Sequence, residues 1–142
     1  GPGRRRIMEK GRTMQAESTA GRQIPEEMQR CIEACQASHD ACIETMQHCL
    51  RQGGAHADPE HIRLLNDCAD ICRTSADFML RMSDLHAEVC ALCAEICEQC
   101  ADDCERFPDD AAMQRCAGIC RTCATSCSAM AGLEPDLDDE DE

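Results

Sequence analysis

With 142 residues and a formal net charge of -14, the chain has room for one ordinary domain and carries the wrong sign for a nucleic-acid partner. Leu, Ile, Val and Phe together number only nineteen, about 13% of the residues, which in a highly charged chain is the composition of disorder. Fifteen Cys and eight Met must therefore supply, with Ala, much of any core, and no apolar run is long enough to span a membrane.

Residues 1–23 read as a flexible basic arm, rich in Gly and Arg and without periodicity. Arg4, Arg5 and Arg6 look like the start of a twin-arginine export signal, but no apolar stretch follows them, so the expectation is a cytoplasmic protein or the mature form of something already processed. Residues 24–132 are strongly periodic and read as a cysteine-rich bundle. Helix A starts near Pro25, with Glu26 and Glu27 in its first turn, and ends before Gly53. Its stripe is Met28, Cys31, Cys35, Ser38, Cys42, Thr45 and Cys49. Asp58 and Pro59 read as the cap and first residue of helix B, whose stripe is His61, Leu65, Cys68, Cys72, Ser75, Met79 and Met82. A second row, Leu64, Ile71, Phe78 and Leu85, widens its apolar face. Ser83 is expected to break helix B and cap helix C, which carries His86, Cys90, Cys93, Cys97, Cys100, Cys104 and Phe107. Helix D carries Met113, Cys116, Cys120, Cys123, Cys127 and Met130 and stops at Gly132. Residues 133–142 read as an acidic disordered tail, with seven acids between Glu134 and Glu142.

Four helices of about 23 to 28 residues with short loops predict an all-α, antiparallel up-down-up-down four-helix bundle with a thiol-lined core. In such a bundle Met28, Met79, Met82, His86 and Met130 gather at one end. Cys49, His61, Cys104 and Met113 gather at the other, with His48 and His56 nearby. His39, His48 and His56 read as surface residues. Ile32, Ile43 and Leu50 lie beside the A stripe, where they widen either the core or a subunit interface.

The stretch CALCAEICEQCADDC, from Cys90 to Cys104, spaces its thiols 3, 4, 3 and 4 residues apart, the a/d spacing normally filled by Leu or Ile. Thiols three or four residues apart on a helix have Cβ atoms about 5–6 Å apart, close enough to share a metal ion. A lone CxxC is a weak signal. Nine linked pairs on four stripes facing one interior are a strong one for soft metal. Zinc in a four-thiolate site leaves two negative charges, and stacking such sites in a dry core is costly. Cu(I) is monovalent and accepts shared sulfurs, so loading about one ion per Cys leaves the core near neutral. Iron–sulfur clusters want four ligands around a compact unit, which suits a continuous column of thiols poorly.

The runs CADICRTSADFM, CALCAEICEQCADDCE and CAGICRTCATSC resemble those of the bacterial copper storage proteins, over about residues 25–132. The resemblance implies storage of multiple Cu(I) ions per chain, bound largely by cysteine pairs on one helix, with a rim of Met and His at one end as a mouth. It implies a homotetramer and the cytosolic branch of the family. The expected partner is a copper chaperone or acceptor protein that exchanges copper at the Met and His rim. The chain departs from a uniform thiol core at Ser38, Thr45 and Ser75. A zinc or mixed soft-metal buffer is the alternative metal reading. A thiol-redox protein is another, with Cys90/Cys93, Cys97/Cys100 and Cys120/Cys123 as candidate centres. No catalytic constellation is legible, so the expectation is a protein that is not an enzyme.

Overall fold

A computed structural model describes residues 23–132; the basic arm, save its last residue, and the acidic tail lie outside the described residues. Four helices follow one another: α1 (Glu26–Gln52), α2 (Pro59–Leu80), α3 (His86–Cys104) and α4 (Ala111–Ala131), with a single 3-10 turn at Gly54–Ala57 between the first two. Each helix packs against its two neighbours, α1 on α2 and α4, and α3 on α2 and α4. The diagonal pairs meet only through side chains at the centre, as where Cys72 of α2 lies 3.9 Å from Cys123 of α4, so the four form a square around one axis. This is the up-down-up-down bundle that the four stripes and short loops predict.

Local chemistry sets the ends. Acidic Glu26 and Glu27 lie where the positive end of the α1 dipole favours them. Gly53 and Gly132, with φ of 72° and 76°, take the left-handed backbone that ends α1 and α4, and each donates its N–H back to the preceding turn. Asp110 caps α4 with its side chain, accepting from the N–H groups of Ala112 and Met113.

Five expectations are corrected. Helices α2, α3 and α4 hold 22, 19 and 21 residues, below the expected range, because residues 81–85 and 105–110 turn the chain. Asp58 occupies the cap position of α2, but its side chain makes no capping bond. Ser83 caps no helix: α3 begins with Leu85 in the cap position, and the Ser83 hydroxyl accepts from the Leu85 N–H within the turn. Met82 falls in that same turn. It has a φ of 52° and is 42% exposed, so it leaves the stripe expected for it. Leu85 is likewise exposed, which ends the second apolar row at Phe78, under the Arg81 guanidinium.

The core is built from small side chains. All fifteen Cys are buried and free. Ala69, Ala94, Ala101, Ala117 and Ala124 are buried too, each directly after a Cys. A methyl beside these five thiols lets neighbouring helices approach closely, so that short side chains meet across the axis. Ile32 and Leu65 are the only fully buried branched aliphatics among the described residues. Ile43 and Leu50 stay exposed on α1, so of the three residues beside its stripe only Ile32 widens the core.

Candidate metal centre

The thiol stripes of the four helices interlock into one column. At the end where α1 and α3 begin, Cys31, Cys90 and Cys127 form a group. Three groups of four follow: Cys35, Cys93, Cys123 and Cys127; Cys72, Cys93, Cys97 and Cys123; and Cys42, Cys68, Cys100 and Cys120. Within each group all sulfurs lie within 4.8 Å of one another. The close approaches run mostly between helices. Cys35 is 3.5 Å from Cys127, Cys72 is 3.5 Å from Cys97, and Cys42 is 3.8 Å from Cys120. Cys93 to Cys97 and Cys123 to Cys127 are approaches along one helix, at 3.9 and 4.0 Å. Cys104 and Cys116, both fully buried, extend the column beside Cys100.

The column is terminated by other donors. Cys49 lies 3.3 Å from the Nε2 of His61 and 3.5 Å from the Sδ of Met113. His61 is fully buried on its side chain, and its Nδ1 bonds the Asp103 carboxylate. With that proton on Nδ1, the Nε2 lone pair faces Cys49, the arrangement by which carboxylates orient metal-binding imidazoles. Burial works to raise the Asp103 carboxyl, but hydrogen bonds from His61 and Arg106 outweigh it and hold the group low. Asp103→Ala leaves a buried N–H without its acceptor and is expected to cost about 1–3 kcal/mol. Urea unfolding of the reduced protein checks this, and an unchanged midpoint would remove the anchoring role.

The remaining sequence candidates divide. Met28 and Met79 are buried near the opposite end of the column, and Met130 packs partly buried against the core. His86 is held in the α2–α3 turn by a 2.9 Å bond between its Nδ1 and the Ser83 carbonyl, and it joins none of the thiol groups. Met82 is exposed on that turn. Phe107 lies past the end of α3, as a roof over His61 with ring centroids 5.4 Å apart. Ser38 and Ser75 do not leave gaps. The Ser38 hydroxyl is 3.5 Å from Cys120 and the Ser75 hydroxyl 3.3 Å from Cys90, so each hydrogen-bonds into the column. A cluster of His48, His56 and Asp110 was not legible, since its members come from α1, the 3-10 turn and the cap of α4. The up-down topology that gathers loops at one end was the available signal.

Proton occupancy follows from packing. Burial pushes the Cys49 thiol up to about 11, with Asp110, Cys116 and Asp103 adding to the effect. Cys90 is pushed up to about 11 first by its bond with Cys127. Cys123 donates to Cys35 and holds it down to about 6, while the bond with Cys127 lifts Cys123 itself. As pH rises past the ordinary thiol value of 9.0, the unfolded chain releases protons that folded Cys49 and Cys90 still hold. Their contribution is whole below that value and drains away towards pH 11. The thermal midpoint of the reduced, metal-free protein is therefore expected to fall between about pH 8.5 and about pH 10.5. A flat profile, measured by circular dichroism, would contradict this.

A four-helix bundle with a dry axial column of shared thiols, closed by a thioether and an anchored imidazole, defines a class of protein that binds soft metal in its interior. No helix among the described residues is long and apolar enough to cross a membrane. The family described as copper storage protein matches residues 24–132, and the chain belongs to that family. The fold is similar to that of the Cu(I)-bound copper storage protein BsCsp3, with a TM-score of 0.70 at 40% identity, over 75% of this chain and 99% of that one. It is also similar to a cytosolic copper storage protein from Streptomyces lividans loaded with five coppers, with a TM-score of 0.70 at 31% identity, over 78% of this chain and 96% of that one. An uncharacterized cysteine-rich protein, YhjQ, of Bacillus subtilis is 41% identical over 67 residues; the match spans 42% of this chain and 62% of that protein.

Proposed function

We propose that this chain stores Cu(I), holding many ions in its column, roughly one or more per Cys. The observation that carries the reading is the sharing of thiols between groups. Cys93 and Cys123 each belong to two groups of four, and Cys127 to two groups. Separate zinc sites need four sulfurs apiece, so the groups that share Cys93 and Cys123 compete with each other for zinc. Cu(I) is satisfied by two or three sulfurs that bridge, which makes sharing an asset. The charge argument agrees: about one Cu(I) per thiolate keeps the loaded column near neutral.

Storage in place of catalysis suits this geometry, because the donors are buried and saturate one another. The Cys49, His61 and Met113 set offers one sulfur, one nitrogen and one thioether at the end of the column, suited to taking copper from a carrier protein and passing it inward. The cytosol is the proposed location, by analogy with the Streptomyces relative described as cytosolic. A homotetramer is the proposed assembly, with exposed Ile43, Leu50 and Leu92 as apolar surface for it.

Anaerobic Cu(I) titration of the fully reduced protein against a chromophoric chelator tests the reading. Copper is expected to be withheld from the chelator until about 15 equivalents. Competition after only a few equivalents, with zinc bound at about one per four thiols, would overturn storage in favour of a zinc buffer.

A further inference from the structure

At the Cys49 end of the bundle, outside the column, two imidazoles converge on one carboxylate oxygen. The Nε2 of His48 is 2.8 Å from the Oδ2 of Asp110, and the Nε2 of His56 is 2.9 Å from the same atom. The three side chains are 24%, 20% and 18% exposed, so they are sheltered yet reachable. We propose that His48, His56 and Asp110 form a second metal site, of a different class from the thiol column, for a divalent first-row cation of the zinc and copper(II) type.

Ligand chemistry sets the class. Two imidazoles and one carboxylate suit Zn(II) and Cu(II) and offer no sulfur for Cu(I). Calcium and magnesium prefer oxygen-rich sets. Each ligand is already oriented. The other oxygen of Asp110 accepts from the N–H groups of Ala112 and Met113, which fixes the carboxylate on the cap of α4. The His56 ring lies on the Phe107 ring at 4.1 Å between centroids, and the His48 ring meets His56 edge-on at 5.9 Å. Both rings already point their Nε2 at the same carboxylate oxygen. Binding therefore requires only that each ring carry its proton on Nδ1, which frees both Nε2 lone pairs for the cation. Three protein ligands leave positions open towards an adjoining pocket of about 560 Å³, lined by Arg106, Pro108 and Asp109 beside the ligands. A fourth ligand from solvent fits there.

The site lies outside the column. Phe107 stands between His56 and His61, so the two donor sets are separated by a ring. The ligands come from the last turns of α1, from the 3-10 turn and from the cap of α4. One ion would thus pin three segments that are otherwise joined at this end by loops.

Co(II) is the first probe, because its spectrum reports its ligands. Nitrogen and oxygen ligands give weak d–d bands, and thiolates add intense sulfur-to-cobalt charge transfer. Reduced protein, both metal-free and Cu(I)-loaded, is titrated with Co(II). The expected result is one equivalent bound with d–d bands and no charge transfer in the loaded protein. His56→Ala should abolish it and His48→Ala should weaken it at least tenfold, with copper capacity unchanged in both. Zn(II) gives a readout that needs no variant: once the thiol column is filled, one further equivalent should shift the imidazole nitrogen resonances of His48 and His56 and leave those of His39 and His86 in place. Absence of these shifts, or Co(II) binding that survives both substitutions, would overturn the site and leave a hydrogen-bonded triad. If the column fails to take copper, the storage reading fails, and the histidine resonances still decide this one.

Discussion

Replacing Cys93 and Cys123 together with serine is expected to cost about twice the copper lost on replacing Cys31 and Cys49 together. The two pairs delete the same number of sulfurs. They differ in place. Cys93 lies 3.8 Å from Cys72 and 3.9 Å from Cys97, and Cys123 lies 3.6 Å from Cys35 and 3.9 Å from Cys72. Both are shared between two groups of four, so their loss leaves the sulfurs that bridged through them with too few partners. Cys31 and Cys49 stand at the two ends and belong to fewer bridges. Serine is close to cysteine in size, and Ser38 and Ser75 already hydrogen-bond within the column, so the bundle should survive the change. Chelator competition on the two variants decides the matter. Equal losses would mean that each thiol binds copper independently and that the sharing carries no weight.

Copper loading is expected to raise the thermal midpoint of the reduced protein by on the order of 15 °C or more. The metal-free core is made of side chains that bury little apolar area, with Ile32 and Leu65 as the largest branched contributors. A ligand at about a thousand times its dissociation constant adds about 4 kcal/mol, and each kcal/mol moves the midpoint of a domain this size by about 4 °C or more. Many ions bridging four helices should exceed that figure. Melting curves with and without about 15 equivalents of Cu(I), followed by circular dichroism under anaerobic conditions, give the answer. Coincident curves would mean that copper binds the unfolded chain as well as the folded one, which a preformed column does not allow.

Much of the molecule was readable before the structure. The 3 and 4 spacing of Cys90, Cys93, Cys97, Cys100 and Cys104 predicts one buried face, and the structure buries all five. That spacing acts through helix geometry alone, so neighbouring helices need not be known. The same holds for the stops at Gly53 and Gly132, where the left-handed backbone is a local requirement. The turns were harder to read. Ser83 looks like a cap, but the last turn of α2 ends early and places Met82 outside the column, because turn geometry depends on how the two helices close on each other.

The amino-acid sequence by itself determined the four stripes, the all-helical class and the soft-metal chemistry, because periodicity and donor type are properties of single helices. Tertiary structure decided which sulfurs meet, and most of the close approaches join different helices. It also decided that His61 is anchored by Asp103 while His86 is held in a turn. Finally, it brought His48, His56 and Asp110 onto one oxygen. These outcomes depend on the rotation of each helix about its axis and on the path of each loop, which long-range packing fixes and local pattern does not.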